Sequence, residues 1–401
     1  MMNRMMTWDA GVSRRRMILV LLGALIGASG AAGQEQWLTY HAGSTAQPSW
    51  LAMTLRELEV QPAPPAGLAL PAGLNGGPVL AVWKTPLAPG GQLWLAVGRS
   101  KADGPYDRLV IDANANGRLD DEQPATAREL RTFKDLQSCT FPGLKLVLPS
   151  TDGPVTYHLD IAFWKAAKTP RLQARSACWY QADVTVGGRN VPCQLLDANV
   201  DGTFNDASDD LLRSDIIKLG DDPIGRVGRY VQVDGAFYAL KVAQDGSGVA
   251  FSPAADLALG QVRAEGVDSF SAGGANGLFH CQVRDGLCQL PVGRYHVQFW
   301  QIRRKDGSGA TWEATGTPKM PTAFEVAADG QAVVDAGEPL SSTASVQAAG
   351  GGAYQVSDPR LLGRHGERVT LARNGQQPDP PKLRVSSQDG SYTQQLSFAY
   401  G

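Results

Sequence analysis

Two short segments concentrate the side-chain oxygens of this chain. Asp112-Ala113-Asn114-Ala115-Asn116-Gly117-Arg118-Leu119-Asp120-Asp121-Glu122 and Asp197-Ala198-Asn199-Val200-Asp201-Gly202-Thr203-Phe204-Asn205-Asp206 share the skeleton D-A-N-x-[N/D]-G-x-[L/F]-[D/N]-D and begin 85 residues apart. Each follows an apolar, strand-like run, so the pair reads as an internal duplication. Alternate residues of a tightly curled loop point their oxygens inward, and a hard cation such as calcium takes six to eight of them. Positions one, three and five are Asp112, Asn114 and Asn116 in the first loop, and Asp197, Asn199 and Asp201 in the second. Glycine at position six permits the left-handed turn that brings in the carbonyl of position seven, Arg118 or Thr203, with Asp120 and Asn205 at position nine. The competing reading is a metal-free loop in which the Asp and Asn side chains satisfy their own main chain.

The spacing resembles the calcium loops of EF-hand and dockerin proteins. That resemblance implies a Ca²⁺ cofactor held by Asp112, Asn114, Asn116, Arg118 and Asp120, and by Asp197, Asn199, Asp201, Thr203 and Asn205. The pattern departs at position twelve, where Gln123 and Ser208 stand in place of the bidentate Glu, so Glu122, Asp121, Asp206 or Asp209 must substitute. Only Asp112 is charged among the first three ligands of loop one. Affinity is therefore expected in the weak extracellular range of about 10⁻⁴ to 10⁻³ M, with the second loop the tighter.

Little else carries chemistry. His41, His158, His280, His296 and His365 are scattered without an H-x-x-x-H or H-x-H pair, which argues against catalytic zinc or iron. His158 near Asp160 reads as an ordinary strand histidine. Asp245-Gly246-Ser247-Gly248 and Asp306-Gly307-Ser308-Gly309 lack a nucleophile elbow and read as turns. Eight tryptophans follow residue 33, suited either to the core or to stacking on sugar rings. No basic block exceeds Arg303-Arg304-Lys305, so nucleic acid is not an expected partner.

The N-terminus reads as an export signal. Arg14-Arg15-Arg16 precedes a 12-residue apolar run, Met17 to Ala28, too short for a stable membrane span, and small residues lead to cleavage near Gly33. The basic segment fits either a general signal or a twin-arginine one. Residues 1-33 hold four Arg and one Asp, so their removal takes the net charge from -2 to -5. Export permits disulfides among Cys139, Cys178, Cys193, Cys281 and Cys288. A four-residue loop would set Cys281 opposite Cys288, whereas a two-residue Asp285-Gly286 turn would offset them.

The positioning elements are strands. The 46 Gly and 25 Pro suit many short strands and tight turns, and apolar runs recur at 79-83, 92-97, 107-111, 144-148, 156-161, 179-186 and 191-196. Asp234-Gly235 marks a further hairpin. The segment Trp50 to Leu58 fits helix and strand equally, and the Pro-rich stretch Gln61 to Pro78 reads as a linker or extended surface segment. Leu290-Pro291-Val292-Gly293-Arg294-Tyr295 resembles a strand of carboxypeptidase-regulatory-like and transthyretin-like (Ig-like) β-sandwiches. The expected fold is thus mainly β: an antiparallel N-terminal domain over 34-252 carrying the duplicated loops, a β-sandwich-like domain over 253-347, and closing strands over 348-401. The whole suggests an exported, non-enzymatic calcium-binding protein of structural or adhesive role, with a protein or polysaccharide partner at the cell envelope. A carbohydrate-binding protein using exposed Trp and an extracytoplasmic hydrolase are the alternatives.

Overall fold

The computed structural model describes residues 33–43, 47–150, 153–166, 169–319, 323–351 and 353–399. The expected signal segment, Gly33 excepted, lies outside these residues. Strand makes up 58% of the described residues and helix 2%, so the mainly β class is realised. Among the described residues no helix is long and apolar enough to cross a membrane.

The strand-like runs become strands because alternation decides which face is buried. In Val155–Ala166, residues Val155, Tyr157, Leu159, Ile161 and Phe163 are buried while their neighbours are not, the two-residue period of a half-buried strand. This strand lies in a nine-stranded antiparallel sheet, in which Thr169–Ser176 and Arg56–Gln61 join it to the run Asn75–Lys84, Gln92–Arg99 and Tyr106–Ile111. A five-stranded sheet contains Thr39–Ala42, Cys178–Val186, Arg189–Leu196, Ile216–Leu219 and Gly225–Arg226. A four-stranded sheet is built from Glu35–Trp37, Gly248–Pro253, Ala236–Val242 and Tyr230–Val233. The three contribute to one core that includes Trp83, Tyr157, Leu195 and Val249. Asp234 and Gly235 take φ of 51° and 81°, the positive values that a two-residue hairpin turn requires.

Two segments behave differently from expectation. Trp50 to Leu58 divides into a single 3-10 turn, Ser49–Met53, and the strand Arg56–Gln61. The Pro-rich stretch is no free linker, because Leu68, Leu70 and Leu74 pack on Leu80, Ala96, Val110 and Leu119. This cover buries Leu80 on one face while Ala81 and Trp83 enter the first core on the other, so that successive residues of the strand are buried. A second core, from Val262 to Val369, lies among residues of a three-stranded and an eight-stranded sheet. Trp300 at its centre donates its indole N–H to the buried Glu367 carboxylate at 2.9 Å.

Trp83 anchors the first core. It is fully buried and its indole N–H donates to the Val200 carbonyl at 2.7 Å, joining strand Asn75–Lys84 to the second Asp-rich loop. Trp83→Ala removes both the packing and the bond, and is expected to lower unfolding stability by about 3–5 kcal/mol. The denaturant midpoint measures this loss.

Candidate functional site

Both Asp-rich loops leave the end of a strand and curl in the same way. Loop one follows Tyr106–Ile111 and loop two follows Arg189–Leu196. In each, the fourth residue and the sixth adopt positive φ: Ala115 at 58° and Gly117 at 80°, Val200 at 55° and Gly202 at 94°. A side chain on Gly202 would also meet Thr85, Trp83 and Leu87 at 3.2–3.4 Å, so glycine is required there both for conformation and for space.

The main-chain hydrogen bonds are equivalent. The first aspartate accepts from the amides of positions five and six, at 3.0 and 2.8 Å on Asp112 and at 3.3 and 2.7 Å on Asp197. The fifth residue accepts from position seven at 2.9 Å in both, Asn116 from Arg118 and Asp201 from Thr203. The amide of position two donates to a later carboxylate, Ala113 to Glu122 at 2.8 Å and Ala198 to Asp215 at 3.0 Å. Matching geometry supports the duplication. It also realises the side-chain-to-main-chain turns weighed as an alternative to metal. These bonds occupy only part of each carboxylate, whose two oxygens offer about four lone-pair sites.

The loops diverge in what gathers above this frame. In loop one, Asn114 accepts from the amide of Asn116, the Asn116 amide group donates to Asp121 at 2.7 Å, and Arg118 pairs with Asp120 at 2.8 Å. Arg118 holds the Asp120 carboxyl below its ordinary range and so spends that charge locally. In loop two, one amide nitrogen of Asn199 lies 3.1 Å from Asp201, 3.0 Å from Asp206 and 3.3 Å from the Arg213 carbonyl. The Thr203 hydroxyl bridges the same two carboxylates, at 2.7 and 2.9 Å. Asn205, at position nine, is exposed. At position ten Asp206 is half-buried and joins this group, whereas its counterpart Asp121 stays exposed. Of the expected substitutes for the missing Glu, Glu122 bonds to Ala113 and Asp209 accepts from the Ala275 amide at 3.1 Å, leaving Asp121 and Asp206 near the ligand positions.

Loop two is the more strongly charged. Asp197 is fully buried, and its carboxylate also accepts from the Tyr157 hydroxyl at 2.7 Å. Burial, then the Asp201 charge, pushes its pKa up to about 7. Burial and Asp201 likewise raise Asp206, while burial and Asp197 raise Asp215. Asp215 was not visible as a member of this group from the sequence, since it lies 18 residues beyond Asp197 and outside the motif. Its carboxylate accepts from the Asp206 amide at 2.8 Å as well as from Ala198. Among the described residues no three His, Cys, Asp or Glu side chains form a metal-holding group. The buried Asn199 carbonyl oxygen has no partner.

The other candidate surfaces do not converge. Trp37 and Trp164, the most exposed of the described tryptophans, stand in different sheets, while Trp83, Trp179 and Trp300 are buried. His158 meets Tyr40 at 2.6 Å. Compared with known family models, curated proteins and solved structures, the chain matches none.

The pH response follows from Asp197. Its folded pKa is raised, so without added cation its contribution to stability is fully present below its unfolded pKa of about 4 and is lost as pH rises toward 7. In chelator, the melting temperature is expected to fall across that window, and Asp197→Asn is expected to flatten the slope. A melting series in buffers from pH 4 to 7 makes the comparison.

Proposed function

We propose that this chain is an exported structural or adhesive protein whose second Asp-rich loop binds calcium, and that the ion stiffens the loop between two sheets. The observation that carries the reading is the meeting of the Asp201 and Asp206 carboxylates across Asn199 and Thr203. Two carboxylates facing one another repel unless one is protonated or a cation lies between them. The Asn199 amide N–H group supplies the positive end of a dipole at that point. Rotating the amide by half a turn would direct its partnerless oxygen toward the same place. That oxygen and the two carboxylates would then offer a cation oxygen donors of the hard kind that calcium takes.

Loop one has the same frame with less charge, and its Arg118 side chain occupies Asp120. Weaker binding is expected there. The basic and apolar N-terminal segment supports export, and calcium is available at millimolar levels outside many cells. A static ion at the base of a loop supplies rigidity without any reacting group, which favours scaffold over catalyst.

Thermal melting of the protein in calcium and in chelator tests the reading. A ligand that binds only the folded state raises stability by roughly 2.7 kcal/mol at a hundredfold excess over Kd. Millimolar calcium is expected to raise the midpoint, and the double change Asp201→Asn with Asp206→Asn is expected to remove most of the rise. An identical midpoint in calcium and chelator overturns the proposal.

A further inference from the structure

Cys281 and Cys288 come together in a way that their spacing alone leaves open. Arg284 and Leu287 exchange both main-chain hydrogen bonds at 2.9 Å, with Asp285 and Gly286 at φ of 52° and 76°, so the turn between the strands is the two-residue kind. That register sets Cys288 opposite Val283 and Cys281 opposite Leu290, which offsets the two cysteines along the hairpin. Facing residues and residues two apart share a side of a sheet. All four side chains accordingly pack on the second core. The strands then part, Gly277–Gln282 pairing with Ser269–Gly274 in the eight-stranded sheet and Leu287–Pro291 with Leu259–Arg263 in the three-stranded one.

Here Cys281 and Cys288 stand one diagonal step apart on that shared side of the hairpin, the Cys281 thiol also reaching the Phe279 carbonyl at 4.0 Å. Each shifts the other's pKa, Cys288 pushing Cys281 up and Cys281 holding Cys288 down. Cys281 is buried and Cys288 half-buried, and both line a cleft of about 790 Å³ whose walls also include Arg226, Asp234 and His280. Cys139 and Cys178 are instead buried in the first core, where their thiols meet the main-chain carbonyls of Tyr106 and His158.

We propose that Cys281 and Cys288 are a redox-active pair that closes to a disulfide in the wall of this cleft, tying the two sheets of the second core together. The oxidant is itself a disulfide, either a small molecule or the active site of an oxidase. The Cys288 thiolate attacks one of its sulfurs, breaking that S–S bond, forming a mixed disulfide and releasing the first thiolate. Cys281 then attacks the Cys288 sulfur, its proton passing to the second departing thiolate. Two cysteine thiols become one Sγ–Sγ bond and the oxidant becomes two thiols. Cys288 attacks first because it is the less buried of the two and its neighbour Cys281 holds its pKa down, whereas Cys281 is buried and its pKa is raised.

The test is to incubate the reduced full chain with oxidised glutathione, then denature, alkylate and map the peptides. Two of the five cysteines are expected to escape alkylation as a 281–288 linked peptide, with Cys139, Cys178 and Cys193 alkylated. Cys281→Ser is expected to accumulate glutathione on Cys288, and Cys288→Ser to take up none on Cys281. Five alkylated cysteines in the wild type, or a linkage between any other pair, overturns the proposal even if a variant fails to fold.

Discussion

A carboxylate withdrawn from water must be compensated by hydrogen bonds or by an opposite charge, because an uncompensated buried charge is among the costliest groups in a protein interior. Asp197 imposes that constraint on the N-terminal half of this chain. Its position is fixed from three directions: by strand Arg189–Leu196, which it follows, by the amides of its own loop, and by the Tyr157 hydroxyl from the nine-stranded sheet. Trp83 adds a fourth tie through the Val200 carbonyl. The loop is therefore a junction between sheets, and whatever neutralises its acidic side chains acts on the packing of both.

The duplicated loop shows how one frame can carry different loads. Equivalent main-chain bonds hold Asp112 and Asp197, and Leu119 and Phe204 are both buried at position eight as apolar anchors. Above the frame, loop one spends its charge on an Arg118–Asp120 pair, which is exposed and hence a weak contributor to stability. Loop two has no such pair. Its Asp201 and Asp206 face each other, with Asp197 and Asp215 beneath.

Local pattern made the fold class legible. Alternating runs such as 156–161 and the Asp234-Gly235 turn report directly on which face is buried and where the chain reverses. The helix-or-strand ambiguity at Trp50 to Leu58 and the reading of Gln61 to Pro78 as a linker came from tertiary packing that local pattern does not encode: Leu68, Leu70 and Leu74 are spaced to cover a sheet contributed by other strands. The same limit applies to the site. Its first five positions lie in one contiguous motif and could be assigned by spacing. Asp206 in place of Asn205 depended on which way the loop closes, and Asp215 and Tyr157 are brought in by sheets that meet only after folding.

In the proposed function the side chains of loop two gather round a cation. Terbium, which substitutes for calcium at oxygen sites, tests it most directly, because Trp83 lies against Gly202 and can pass excitation energy to a bound ion. Exciting tryptophan in the presence of terbium should give sensitised emission that calcium displaces and that the Asp201→Asn, Asp206→Asn protein lacks. The absence of sensitised emission, or its persistence unchanged in that variant, would contradict the claim.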